Sequence, residues 1–98
     1  MPALDAGIVE EIRIKVPRKW KIIFHNDDFT PMDFVVSLLE AVFNKNAEDA
    51  AVLMQTVHDE GRAVVGLYTK EIADTKVLQA LRAAEEHQHP LLVTSEES

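Results

Sequence analysis

Two amphipathic stretches joined by a very short link constrain this chain more than any other feature. Phe34, Val35, Leu38, Leu39, Val42 and Phe43 fall at helical spacing, and Ala50, Leu53, Met54 and Val57 do so again, with His58 on the same side. Each stretch carries its own punctuation. Thr30, Pro31 and Asp33 read as a helix start, with Thr30 as N-cap, Pro31 in the first turn and an acid at the third position. Asn46 caps the second helix with Asp49 three residues on, and Gly61 supplies the left-handed residue that ends it. Helices linked this closely pack as a hairpin.

Strand signals surround the hairpin. "WKIIF" (Trp20 to Phe24) is short and rich in aromatic and β-branched residues, and "AVVGLY" (Ala63 to Tyr68) reads as a buried strand. Thr69 caps a third helix that turns Ile72, Ala73, Val77, Ala80, Leu81 and Ala84 inward, and Pro90 opens a last short strand, "LLVT". The order βααβαβ predicts an α+β fold: a single compact domain with a small antiparallel sheet and three helices on one face. Residues 19–98 form that core, and 98 residues suffice for one core of modest size. Residues 1–18 contain Pro2, Gly7 and Pro17 with few large apolar side chains, which predicts a flexible N-terminal arm. Within it "IRIKV" (Ile12 to Val16) alternates with the period of a half-buried strand.

Composition removes several classes of function. A net charge of −7 disfavours phosphate-backbone binding, which needs clustered Lys and Arg, so no nucleic-acid partner is expected and an amine or basic surface is the better match. The chain has no cysteine, which excludes disulfides, thiolate catalysis and Cys-ligated zinc. No apolar run approaches the roughly 18 residues that span a bilayer, and "MPALDAGIVEE" lacks the basic start of a signal peptide. The expectation is a soluble cytoplasmic protein with no membrane partner.

The chemistry concentrates at "HNDDF", His25 to Phe29. Asx residues commonly end strands and fold back on their own backbone, and that local role is one reading of Asn26, Asp27 and Asp28. The other turns their oxygens outward. An ammonium has three N–H donors and no acceptor, so burying one needs three acceptors around it. Asn26 and Asp27 offer two, and the neutral ring of His58 offers a third. Protonating His58 would turn that acceptor into a donor facing a cation, so such binding should weaken in acid. Met32, Val35, Met54, Val57 and Leu91 are core residues by default, yet Met32 stands in the first helical turn beside the polar cluster, where a thioether can wall a pocket.

Taken together, "NDDFTPMDFV", "LMQTVHDEG", "EIADTKV" and "HPLLVT" resemble the ClpS family, the adaptors that recognise N-degrons for the ClpAP protease. The resemblance runs from about Trp20 to Thr94 in the family's order and spacing. It implies that Asn26, Asp27 and His58 bind the α-amino group of a substrate whose first residue is Phe, Tyr, Trp or Leu. Thr30, Met32, Val35, Met54, Val57 and Leu91 would then surround that residue's side chain, with Met32 as a gate against Ile and Val. It further implies that Glu71 and Lys76 contact the N-terminal domain of the ClpA unfoldase, or of the related ClpC, and that the arm takes part in delivery. Read from the residues alone, Glu71 and Lys76 are ordinary solvated helix positions. A monomer without cofactor, metal or catalytic residue is expected.

Two rival readings stand beside this one. Asp27, Asp28 and His58, or His87 with His89, contain metal-ligand types, but histidines two apart do not share a helical face and no third ligand accompanies them. There is no Ser-His-Asp pattern and no glycine-rich phosphate loop among three glycines. The βααβαβ order also resembles the C-terminal domain of the ribosomal stalk protein, a plain interaction module that would make no use of the amine acceptors.

Overall fold

The structure, a computed structural model, describes residues 17–98. The arm expected over residues 1–18, including its alternating "IRIKV", therefore lies outside the described residues except for Pro17 and Arg18. Among the described residues the chain runs β1 (Trp20–His25), α1 (Met32–Ala41), α2 (Ala47–Glu60), β2 (Arg62–Tyr68), α3 (Lys70–Glu86) and β3 (Leu92–Glu97). This is the βααβαβ order expected from the sequence, in an antiparallel sheet of order β2-β1-β3. The first strand is thus the middle one, hydrogen-bonded on both edges. Its apolar centre is correspondingly inaccessible: Ile22, Ile23 and Phe24 are at most 1% exposed.

α3 packs across all three strands and α1 packs on α2. Alanines make the first contact possible. Ala73, Ala80 and Ala84 are buried, and their small side chains let the helix backbone approach the sheet closely. Ile72, expected to point inward, is instead 48% exposed. It precedes Ala73 by one residue, about 100° around the helix, which carries it off the buried stripe. The core is completed by Val35, Leu38, Leu39 and Phe43 from the hairpin, with Phe24 and Phe43 edge to face at a centroid separation of 5.4 Å.

The strands differ from expectation in two respects. β2 was expected to be buried, but it alternates, with Ala63 and Val65 inward and Val64 and Leu67 about half exposed on the face that the helices leave open. The last strand starts at Leu92 and runs to Glu97, beyond "LLVT", because the first half of β1 also needs a partner and Trp20 pairs with Glu97. Its outer end carries ion pairs from Glu96 to Lys21 and Arg62 and from Glu97 to Arg18, which suits an edge strand.

The helix ends follow the sequence in part. Asn46 caps α2 by accepting from the Asp49 amide at 2.8 Å, and Gly61 closes it with φ of 87°. Thr69 holds the N-cap of α3 through its backbone, its carbonyl accepting from Ala73, with no side-chain cap. At α1 the cap is Pro31 rather than Thr30. The Thr30 hydroxyl is engaged elsewhere, and this bears directly on the site.

Candidate functional site

One cleft gathers nearly all the residues singled out in the sequence. Asn26, Asp27, Asp28 and His58 form its polar rim, and Thr30, Met32, Val35, Met54 and Val57 its walls, around about 230 Å³. That is room for a single large side chain, below the roughly 300–1,000 Å³ of a typical small-molecule site. Three elements meet here: the loop after β1, the first turns of α1 and the C-terminal half of α2. A main-chain bond ties the loop to the helix end, with the Asn26 amide donating to the Gly61 carbonyl at 2.8 Å. The left-handed Gly61 is what turns that carbonyl out of the helix and toward the strand.

The loop itself is built on Asp27. Its Oδ1 accepts from the amides of Phe29 at 2.8 Å and Thr30 at 2.7 Å, and its Oδ2 accepts from the Thr30 hydroxyl at 2.8 Å. Thr30 itself lies one residue outside the cap of α1, because Pro31 is extended (φ −63°, ψ 143°) and the helix begins at Met32. Both carboxylate oxygens of Asp27 take part in the turn, the local role expected of Asx residues here, and Oδ2, with a single bond, retains lone-pair capacity. Burial raises the Asp27 carboxyl, but the hydrogen bonds from Thr30 and Phe29, together with the charge of His89, outweigh it and hold the group below the ordinary aspartate value. Asp27 therefore stays ionised at the rim throughout the neutral and mildly acidic range.

A sign follows for stability. A group whose folded value is depressed stabilises the fold above its unfolded value and loses that contribution as pH falls through the folded one. Thermal melts of the wild type and Asp27→Asn should differ at pH 7, and the gap should close below the aspartate reference of 3.8. A gap that persists unchanged to pH 2.5 would assign it to shape rather than charge.

Opposite the loop, His58 lies in the last turn of α2. Its Nδ1 contacts Asp59 Oδ1 at 3.2 Å, and Gln55 Nε2 donates to the same oxygen at 2.9 Å. The sequence suggested Gln55, with Thr56, only as a position that could shift which side chains fit best, and did not pick out Asp59. The i, i+4 spacing of Gln55 and Asp59 on one helix face was the available signal. Inside the rim, Met32 is 45% exposed at the mouth while Val35 and Val57 are buried below it.

Leu91 stands slightly apart. It is buried, and it meets Asn26, Asp27, Thr30, Val35 and Val57 around a smaller adjoining cavity of about 20 Å³, the size of one water. Glu71 and Lys76 lie elsewhere, on α3, beside a shallow depression shared with Ile72, Thr75 and Gln79. Lys76 is not the plainly solvated residue expected: its Nζ donates to the Val42 carbonyl at 2.6 Å and sits over the Phe43 and Tyr68 rings. It thereby pins α3 to the end of α1.

The fold and the cleft define a class: a small α+β binding domain whose cleft is acidic at the rim and apolar within. Comparison with known proteins makes the family specific. The family model described as ATP-dependent Clp protease adaptor protein ClpS matches residues 15–94. The chain is 44% identical over 96 residues to the ATP-dependent Clp protease adapter protein ClpS of Vibrio atlanticus (strain LGP32), covering 98% of this chain and 91% of that protein. It also superposes on Agrobacterium tumefaciens ClpS2 bound to L-phenylalaninamide with a TM-score of 0.82 at 36% identity, covering 85% of this chain and all of the other. The chain belongs to the ClpS family, adaptors of the Clp protease.

Proposed function

We propose that this adaptor captures proteins whose free N-terminal residue is Phe, Tyr, Trp or Leu and hands them to the ClpA unfoldase for degradation by ClpP. The observation that carries the reading is the division of one cleft into an acceptor rim and an apolar interior. Asn26, Asp27 and His58 supply oxygen and nitrogen acceptors for an α-ammonium, the side chain beyond it enters between Met32, Val35, Met54 and Val57, and Thr30 and Leu91 close the inner end. The likeness to a protein bound to L-phenylalaninamide supports it, since that ligand carries a free α-amine and an aromatic side chain.

Glu71 and Lys76 are the proposed contact for the N-terminal domain of ClpA, or of the related ClpC. The half-exposed Ile72 beside them supplies an apolar centre for such a contact. The adaptor acts as a cytoplasmic monomer without cofactor, and no step of this role involves catalysis, nucleic acid or membrane. Among the described residues no helix is long and apolar enough to cross a bilayer.

Fluorescence anisotropy with three labelled peptides tests the reading: free N-terminal Phe, the same peptide acetylated, and one starting with free Ile. Acetylation removes the charge and two donors, each bond to a charged group being worth about 1.5–3 kcal/mol, so affinity should fall at least about 100-fold. The Ile peptide should also bind weakly, because branching at Cβ meets the Met32 side chain at the mouth. Equal binding of all three would sink the proposal.

A further inference from the structure

His58 is useful to an ammonium only in one of its two neutral forms. An imidazole that carries its proton on Nδ1 presents Nε2 as the acceptor, whereas free histidine favours the opposite tautomer, with the proton on Nε2. Which form a protein holds is set by the hydrogen bond that the other nitrogen makes. Here the partner is on the page. Asp59 Oδ1 lies 3.2 Å from His58 Nδ1, and the same oxygen is held by Gln55 Nε2 at 2.9 Å, one helical turn back. An ionised carboxylate cannot donate, so His58 Nδ1 must carry the proton in this contact.

We propose that Asp59, steadied by Gln55, is a positioning residue that holds His58 with its proton on Nδ1 and so leaves Nε2 free as the third acceptor of the amine site. The inference rests on the amine-binding reading of the cleft and adds to it two residues that never touch the substrate. The other charged or polar groups facing His58 do not do this work. Asn26, Asp27 and Asp28 stand across the cleft from it on the loop after β1. They converge on the same space as the ligand, whereas Asp59 and Gln55 belong to the helix that carries the imidazole. The hydrogen bonds from His58 and then Gln55 also hold the Asp59 carboxyl below its ordinary range, which keeps it an acceptor in mild acid.

The arrangement is economical because it is local. Three residues on one helix, at positions i, i+3 and i+4, form a chain in which an amide donates to a carboxylate and the carboxylate accepts from an imidazole. Exposure of the pair, 51% for His58 and 60% for Asp59, makes the bond a modest one. Its value lies in choosing between two tautomers of similar energy, for which a modest bond is enough.

The test combines a spectroscopic readout with binding. Long-range proton–nitrogen correlation spectra of the uniformly labelled full chain, recorded without ligand, report which imidazole nitrogen carries the proton. The wild type should show the Nδ1–H form at His58, assigned by its loss in His58→Ala. Asp59→Ala should move the ring toward the Nε2–H form and weaken binding of the free Phe peptide about three- to tenfold, the loss expected of one modest hydrogen bond. Asp59→Asn retains an oxygen acceptor and should restore both the tautomer and most of the affinity, which a general surface-charge effect would not do. A wild-type His58 protonated on Nε2, or Asp59→Ala with unchanged spectrum and affinity, overturns the proposal. Absence of wild-type binding to the Phe peptide overturns the amine-site reading together with it, whereas wild-type binding that Asp59→Ala leaves intact overturns this inference alone.

Discussion

Asp27→Ala is expected to weaken binding of a peptide with free N-terminal Phe by about 10- to 150-fold, the worth of one hydrogen bond to a charged group. Two losses combine in it. The rim loses the carboxylate proposed to face the ammonium, and the loop loses the acceptor for the Phe29 and Thr30 amides and the Thr30 hydroxyl. Asp27→Asn separates them. Its amide oxygen can still accept from both loop amides, so melting at neutral pH should lie between those of the wild type and the alanine variant, while affinity should stay low because the charge is gone. Affinity that survives Asp27→Ala in a folded protein would remove this residue from the amine shell. His58→Ala, whose position ends a helix and supports no turn, is the companion measurement, and it should reduce affinity without the accompanying loss of stability.

The largest effect on stability is expected at Phe24. Its side chain is fully buried on the middle strand and meets Phe43 edge to face, so no neighbour can collapse into the space without shifting the sheet or the helix hairpin. Truncation to alanine should cost about 3–5 kcal/mol in urea unfolding. Small domains have roughly 5–15 kcal/mol in total, so the variant should lie near the edge of folding at 37 °C. A cost under about 1 kcal/mol would mean that the core is looser at this point than its packing implies.

Much of this architecture was legible because its signals are local. The helix hairpin announces itself in apolar spacing, in Asn46 with Asp49, and in Gly61, and each of these depends only on near neighbours in sequence. The element order followed from the same kind of evidence. What the sequence could not convey was which partner each group meets. Thr30 has the residue type of an N-cap, but Pro31 stays extended and holds the cap position, which leaves Thr30 one residue outside the helix with its hydroxyl donating to Asp27. Ile72 matches an amphipathic pattern until the alanine stripe fixes which face of α3 meets the sheet. Lys76 reads as solvated until α1 brings the Val42 carbonyl to it.

The cleft divides in the same way. Asn26, Asp27, His58 and the apolar residues beside them could be singled out by chemical type, and the structure brings them together around one space. Leu91 could be read from the residues only as an apolar core position, and its place beside the cleft came from family resemblance, since nothing near it in sequence says that it will meet the end of β1. Gln55 and Asp59 were readable as a helical pair, yet their relation to His58 depends on a side-chain orientation that spacing alone leaves open.

The bond from the Asn26 amide to the Gly61 carbonyl has a use of its own. It joins the two sides of the cleft, and its proton can pass to solvent only when strand end and helix end move apart. In heavy water, the rate at which that one amide takes up deuterium is therefore a clock for how often the empty receptor comes open, readable with no ligand in the tube.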